Sequence, residues 1–325
     1  MKRPDLYVSM SPHAHAGYST RQIMFETILA TLPLIFAGWF FFGWAALQTI
    51  IVCVVIAVLT EGVWQKATGR AVTIADGSAV LTGILLALIL PPAIPWWMAL
   101  LGAAVAILVG KQFYGGLGQH PFNAALVGWA FIFVSYQAVL ESYMMPEPRW
   151  WLEAGGYLEY PPLDVLKLDG IAAVSGLPWA DFIYGNVPGS IGTTSILAAL
   201  IGGVYLIARR IVDWYIPVCF ILSAWIFGFI FWQIDPESYA NPTLHILIGW
   251  IFLGAFFLAP EKGSSPVTVQ GMIFYGIGCG VLTMIFRSWG TFVQGVPFAI
   301  LLMNTLTPLF DRIRPRVVGR VKEIA

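Results

Sequence analysis

Thr193, Thr194 and Ser195 place three hydroxyls in a row at the end of Gly185-Asn-Val-Pro-Gly-Ser-Ile-Gly-Thr-Thr-Ser195. An apolar run begins directly behind them, so they stand where a helix starts. The first N–H groups of a helix lack intrahelical acceptors, and the positive end of its dipole lies there. Both features favour a phosphate. A hydroxyl at this point can carry a phosphoester and have its charge stabilised in the same place. It can equally do no more than cap the helix. Position alone leaves both possibilities open.

Other polar groups stand inside or beside apolar runs. Asp76, in Asp76-Gly-Ser-Ala-Val-Leu-Thr-Gly83, opens another apolar stretch. It can cap that helix, or hold a cation on an ion path, because ionisable groups at membrane depth are costly and often functional. The stretch Lys111-Gln-Phe-Tyr-Gly-Gly-Leu-Gly-Gln-His-Pro-Phe-Asn123 has glycines that let backbone approach a ligand closely. Its His120 can handle protons or make a structural hydrogen bond. His13, His15 and His245 have no metal-ligand spacing. Glu26 and Glu61 lie in or near the first two helices, and Glu61 falls too near a helix end to relay protons at mid-membrane. Cys53, Cys219 and Cys279 are far apart in apolar runs, with no CxxC pair, and read as ordinary buried thiols. No metal site, nucleophilic triad, Walker loop, dinucleotide fingerprint or haem-ligand pair is visible.

These groups need elements to hold them, and composition says which. Of 325 residues, 58% are hydrophobic and 10% charged, against roughly 25% charged in soluble domains. Lipid can cover that much apolar surface; a soluble core cannot. A net charge of zero argues against nucleic acid, which needs a basic surface. The expected fold is an all-α integral membrane protein of about ten transmembrane helices. Residues 1–20 lack a signal-peptide core and read as a short cytoplasmic tail.

The apolar stretch Ile23–Trp64 is too long for one span of ~20 residues, and Phe42-Gly43-Trp44 is the expected break. Further spans are expected over Asp76–Leu90, Met98–Val109, Pro121–Val139, Thr193–Ala208, Trp214–Trp232, Thr243–Leu258, Gly271–Phe286 and Phe292–Leu309. With the N-terminus inside, every lysine and arginine but Arg149, Lys167 and Arg287 falls on the inner side, which the positive-inside rule favours. Both ends are then cytoplasmic and 141–192 lies outside. The expected organisation is a tail (1–22), a first half (23–140), an outer loop (141–192), a second half (193–310) and a basic tail (311–325). Pro91-Pro92 and Pro260 end matching spans, and Gln119-His-Pro-Phe and Gly295-Val-Pro-Phe open matching spans. The pattern suggests two inverted five-helix repeats. Spans 3 and 4 are short and can be partly re-entrant.

The motifs resemble a known family. They are Ser11-Pro-His, Ile23-Met24, Asp76-Gly-Ser with Leu81-Thr-Gly, Pro91-Pro92 and Gly110-Lys-Gln. Tyr114-Gly-Gly-Leu-Gly-Gln, Pro121-Phe-Asn, Ser265-Pro-Val-Thr, Gly295-Val-Pro-Phe-Ala and Leu301-Leu-Met-Asn304 complete the set. Together they resemble the NqrB/RnfD family, with the Rnf branch nearer, across almost the whole chain. The resemblance implies a bacterial inner-membrane subunit of an ion-translocating electron transport complex acting between ferredoxin and NAD. It implies partners equivalent to the A, B, C, E and G subunits, with the membrane iron–sulfur centre on neighbours. It also implies FMN joined through its phosphate to an outer threonine by an ApbE-type flavin transferase.

The family's attachment pattern, roughly Ser/Thr-Gly-Ala-Thr, falls on Ile191-Gly-Thr-Thr194. The implied site is therefore Thr194, with Thr193 second and Gly192 and Ser195 beside it. The chain departs from the pattern at Pro188, where many members have aspartate, and at Thr193, usually alanine. Pro260-Glu261 stands where Thr-Asp is usual. Asp76, Lys111 and Asn123 are candidates for the ion path or flavin surroundings. A second, noncovalent flavin such as riboflavin is compatible with this pattern. The rival expectation is a stand-alone inverted-repeat channel or transporter without flavin, and a purely structural subunit is a third.

Overall fold

A computed structural model describes residues 19–141, 143–146, 158–171, 174, 177–290 and 292–313. Ser11, His13, His15, Glu147, Arg149, Glu153 and the tail from Arg314 lie outside the described residues.

The first helix, α1 (Thr20–Ala67), holds two spans. Gly43 breaks it with φ 60° and ψ −135°, a conformation only glycine adopts readily. Each limb is about 35 Å long at ~1.5 Å per residue, enough for a bilayer core. Next come α2 (Ser78–Ile89), α3 (Trp96–Ile107) and α4 (Ala124–Leu140). The last turn of α3 widens into a π turn, Leu108–Gln112. Pro91 and Pro92 follow α2 as expected, since proline cannot continue the ladder.

Within the segment expected as a loop over 141–192, the described residues form short regular elements. Tyr143–Met144 pairs antiparallel with Leu158–Glu159. The short helices α5 (Pro162–Leu168) and α6 (Trp179–Tyr184) follow. Leu163 and Phe182 pack with Ile196, Leu244 and Ile248 of the second half. This buried cluster fixes α5 and α6 onto the helices behind them.

The second half holds α7 (Ile196–Ala208), α8 (Tyr215–Ile234), α9 (Pro242–Leu247), α10 (Val269–Trp289) and α11 (Val296–Phe310). The expected single helix over Thr243–Leu258 is corrected here. It breaks after α9, and a short turn, Ile251–Leu253, runs into a π turn, Gly254–Leu258. Gly249 turns the chain at φ 84°. Arg287 of α10 donates to the freed carbonyls of His245 (2.5 Å) and Ile248 (3.0 Å). A broken helix needs such donors, because its last carbonyls have no partner of their own.

By length and composition, α1, α8 and α10 can cross a membrane. Five shorter apolar helices of 10–17 residues accompany them. Many large apolar side chains stand on outward faces, Val134 at 84% exposure and Val204 at 58% among them. That surface suits lipid and not water. One core runs through both halves, from Leu34 and Leu86 to Phe220 and Met303. Its helix crossings are close because glycines stand at them. A Cβ on Gly83 would lie 2.8 Å from Val54 Cα, and one on Gly280 would lie 2.5 Å from the Phe220 carbonyl oxygen.

Candidate functional site

Two polar sites emerge. The first is the head of α7. Ser195 is its N-cap, with Oγ accepting from Ala198 N at 3.3 Å. Thr193 and Thr194 therefore precede the helix instead of opening it. Gly192 has no room for a side chain: a Cβ would meet Leu88 Cβ at 2.7 Å. Its N–H donates to Leu88 O at 2.7 Å, and Ile191 N donates to Leu90 O at 3.2 Å. The turn before α7 thus closes the open end of α2, a cross-half contact that sequence spacing could not give.

The two threonines differ. Thr194 is buried, and its hydroxyl donates to Ser190 O at 2.9 Å. Thr193 is half-buried; its Oγ1 lies 2.7 Å from Ser190 Oγ and accepts from Ser190 N at 3.1 Å. Both hydroxyls face the backbone of Gly189, where a Cβ would lie 3.3 Å from Thr193 Oγ1 and 3.6 Å from Thr194 Oγ1. Thr193, Gly189, Pro188, Ile248, Gly249 and Gln294 border a crevice of about 20 Å³. Hydroxyls at a helix head with a bare glycine opposite fit a phosphoester. The crevice is too small to enclose a flavin ring as well.

The second site lies at the other end of the bundle. Lys111 Nζ donates to both oxygens of Glu61, at 2.8 and 2.7 Å, and to Ser78 Oγ at 2.6 Å. Ser78 Oγ in turn donates to Asp76 Oδ1 at 2.6 Å. Gln112 and Gln65 donate to Glu61 Oε1 at 2.9 and 3.1 Å. Lys111, Glu61, Gln65 and Gln112 are all buried. Buried charge requires this degree of pairing. Asp76 and Lys111, 35 positions apart, thus join one hydrogen-bonded chain, but Asp76 also accepts from Ser78 N at 2.8 Å and so serves the start of α2.

Asn123 stands apart from that chain. Its Oδ1 accepts from Leu126 N at 3.1 Å, capping α4, and its Nδ2 donates to Leu258 O at 3.0 Å. It therefore joins the first half to the π turn of the second. Lys111 and Ser78 also line a cavity of about 330 Å³, together with Thr27, Thr82, His120 and Glu261. His120 Nε2 lies 3.3 Å from Glu261 Oε1. Burial disfavours the charged imidazole, but the hydrogen bond and charge of Glu261 outweigh it and hold the His120 pKa above the ordinary histidine value.

Glu61 is the residue that sequence reasoning underrated. Its place near a helix end looked peripheral, yet packing closes it off completely. The pairing of Glu261 with His120, and of Arg287 with the carbonyls of His245 and Ile248, also had no signal in one dimension. Among the described residues no group of His, Cys, Asp and Glu could hold a metal ion, and Cys53, Cys219 and Cys279 are free thiols.

Glycine-tight crossings, broken and π-turned apolar helices and a buried ion pair define a class: helical integral membrane proteins with charge buried inside the bundle. The chain matches the NQR2, RnfD, RnfE family over residues 7–319 and belongs to it. It is 39% identical to the D subunit of the Na(+)-translocating ferredoxin:NAD(+) oxidoreductase complex of Acetobacterium woodii, over 99% of this chain and 98% of that one. It is 36% identical to the D subunit of the proton-translocating ferredoxin:NAD(+) oxidoreductase complex of Clostridium ljungdahlii, over 96% and 95%. Against the D subunit of the ion-translocating oxidoreductase complex of Yersinia pseudotuberculosis the identity is 34%, over 97% and 98%.

Proposed function

We propose that this chain is the membrane subunit of an ion-translocating oxidoreductase complex moving electrons between ferredoxin and NAD, and that it carries FMN through a phosphoester at the head of α7. The observation that carries the proposal is the Thr193–Thr194 pair, set before a helix N-terminus and opposite Gly189, in a chain that matches the family over residues 7–319. FMN supplies the electron chemistry when bound. The protein supplies position and field. Thr194 gives the hydroxyl, Thr193 is second, Gly192 sets the turn and Ser195 keeps the helix capped. Attachment at Thr194 requires its Oγ1 to leave Ser190 O and turn toward Gly189.

The same proposal places the protein in a bacterial inner membrane, with both termini cytoplasmic and 141–192 outside. The A, B, C, E and G subunits are its partners, and an ApbE-type transferase installs the flavin. The chain Asp76–Ser78–Lys111–Glu61 beside the inner cavity is the candidate ion path, and that cavity has room for a second, noncovalent flavin. One relative is named for sodium and another for protons, so similarity does not choose the ion.

A denaturing gel of membranes containing a working transferase tests the proposal. A fluorescent band at this chain's size that vanishes in Thr194→Ala supports it. Lack of any band in the unsubstituted protein rejects it in favour of a flavin-free transporter, which the buried ion pair and cavity would serve equally well. Normal electron transfer by the complex carrying Thr194→Ala would leave the chain a purely structural subunit.

A further inference from the structure

Arg287 is the buried cation that the sites above leave without a counter-charge. Among the described residues the buried lysine and arginine side chains are Lys111 and Arg287. Lys111 is met by Glu61. Arg287, on α10, is 4% exposed, and among the described residues no carboxylate pairs with it. Its contacts are the carbonyls of His245 and Ile248, and its Nε has no hydrogen-bond partner. Carbonyl oxygens answer N–H groups but bring no net charge. A cation held in a packed bundle is costly until an opposite charge stands near it.

The guanidinium stands beside the Thr193 crevice, behind Gly249. That glycine borders the crevice together with Thr193 and Gln294. A Cβ on it would lie 2.8 Å from Arg287 Nη2 and 3.0 Å from Gln294 Oε1. One bare glycine therefore separates the charge from the crevice. Gln294 Oε1 is itself buried without a hydrogen-bond partner. An unpaired charge, an unfilled N–H and an unfilled carbonyl oxygen thus meet on the threonine side of the broken helix.

We infer that Arg287 is the counter-charge of the phosphodiester formed at Thr193–Thr194, a positioning residue that acts across Gly249. The inference rests on the attachment proposed above. A phosphodiester joining a threonine to the flavin's ribityl chain keeps one negative charge at neutral pH. In a bundle that excludes water, opposite charges attract over more than contact distance, so the guanidinium keeps its two carbonyls while it serves the phosphate. A water molecule can fill the free N–H but brings no charge. Two consequences follow from the pairing. Attachment neutralises a buried cation and so stabilises the fold. Arg287 in turn raises the flavin midpoint potential, because a nearby cation favours the more negative, reduced flavin.

The experiment uses the full chain in detergent, with and without attached flavin, the flavin-free form coming from cells that lack the transferase. Attachment is read as the fluorescent band on a denaturing gel, stability as the unfolding temperature, and the local field as the flavin midpoint potential. Attachment is expected to raise the unfolding temperature of the unsubstituted chain by several degrees. Arg287→Gln is expected to lose most of that rise and to lower the midpoint potential. Gln294→Glu sets a carboxylate beside the guanidinium in advance, so its flavin-free form is expected to melt above the unsubstituted one and to gain little on attachment. That variant leaves Arg287 and its two carbonyl contacts in place, so it decides if Arg287→Gln does not accumulate. A rise of equal size in the unsubstituted chain and in the variants overturns the inference, as does attachment that leaves the unfolding temperature of the unsubstituted chain unchanged. A missing band in the unsubstituted protein overturns the attachment itself, and this inference with it.

Discussion

Lys111 Nζ lies 2.7 Å from Glu61 Oε2, and both side chains are almost wholly shut off from solvent. Glu61 lies on the second limb of α1 and Lys111 in the π turn after α3. The pair therefore ties two helices together through a contact that is strong only while both charges are present. Removing one partner strands a buried charge, at about 3–5 kcal/mol. Lys111→Met is expected to lower thermal stability by that order, and the double variant Lys111→Met/Glu61→Leu to recover most of the loss. Thermal unfolding in detergent measures both. If the double variant regains stability but not ion translocation, the pair lies on the ion path. Full translocation removes it from that role.

Asn123→Ala removes both the α4 cap and the bond to Leu258 O. Loss of a cap is worth about 1 kcal/mol, and the stranded Leu258 carbonyl adds about 1–3 kcal/mol. Asn123→Ser can still cap α4 but is too short to reach Leu258 O, so it is expected to fall between. Equal stability of the two variants would show that the α4 cap contributes nothing, and a second variant as stable as the unsubstituted protein would show the same of the cross-half bond.

A side chain at Gly280 meets α8 directly, since a Cβ would lie 2.0 Å from Ser223 Oγ and 2.8 Å from Ala224 N. Gly280→Ala is expected to destabilise by about 1–3 kcal/mol through overpacking. Gly69→Ala, with open space around it, loses only the freedom of its positive φ. Chemical denaturation of the two variants makes the comparison, and a smaller loss at Gly280 than at Gly69 would contradict the close crossing.

Asp164 of α5 gives a pH dependence. Burial, then the charge of Glu141, raise its pKa to about 6, against a partial opposing effect of Lys167. A raised carboxylate pKa means the folded form holds its proton more tightly than the unfolded chain, whose aspartate titrates at ~3.9. The stabilising contribution is complete below the unfolded value and is lost as pH rises through about 6. Amide exchange in α5 is expected to slow as pH falls from 7 toward 4, after correction for intrinsic rates. Asp164→Asn should abolish the trend, and an unchanged trend in that variant assigns it to another group.

At the head of α7, Thr193→Ala removes the contacts of Thr193 Oγ1 with Ser190 but leaves the Thr194 hydroxyl. Peptide mass spectrometry is expected to find the flavin retained in Thr193→Ala and absent in Thr194→Ala. The reverse pattern would move the attachment to Thr193, the hydroxyl that borders the crevice.

Much of this was written in one dimension. Composition alone required lipid-covered helices, because 58% hydrophobic residues cannot be hidden otherwise. Gly43 and Pro91-Pro92 marked breaks that local backbone chemistry makes nearly compulsory. The polar run before an apolar run placed Thr193, Thr194 and Ser195 at a helix head, since capping depends on neighbours in sequence. The motifs gave the family for the same reason.

What tertiary structure decided depends on contacts between distant residues. No spacing pairs Glu61 with Lys111, 50 positions away, or His120 with Glu261, 141 away. The break at Gly249 is held open by Arg287, a donor from another helix, so the residues of span 8 read as one continuous helix on their own. The segment 141–192 was polar enough to look like a loop, and only buried contacts with α7 and α9 hold its described helices, α5 and α6. Local signals set where helices start and stop. Burial, which depends on the whole fold, set which charges meet and which threonine is shut in.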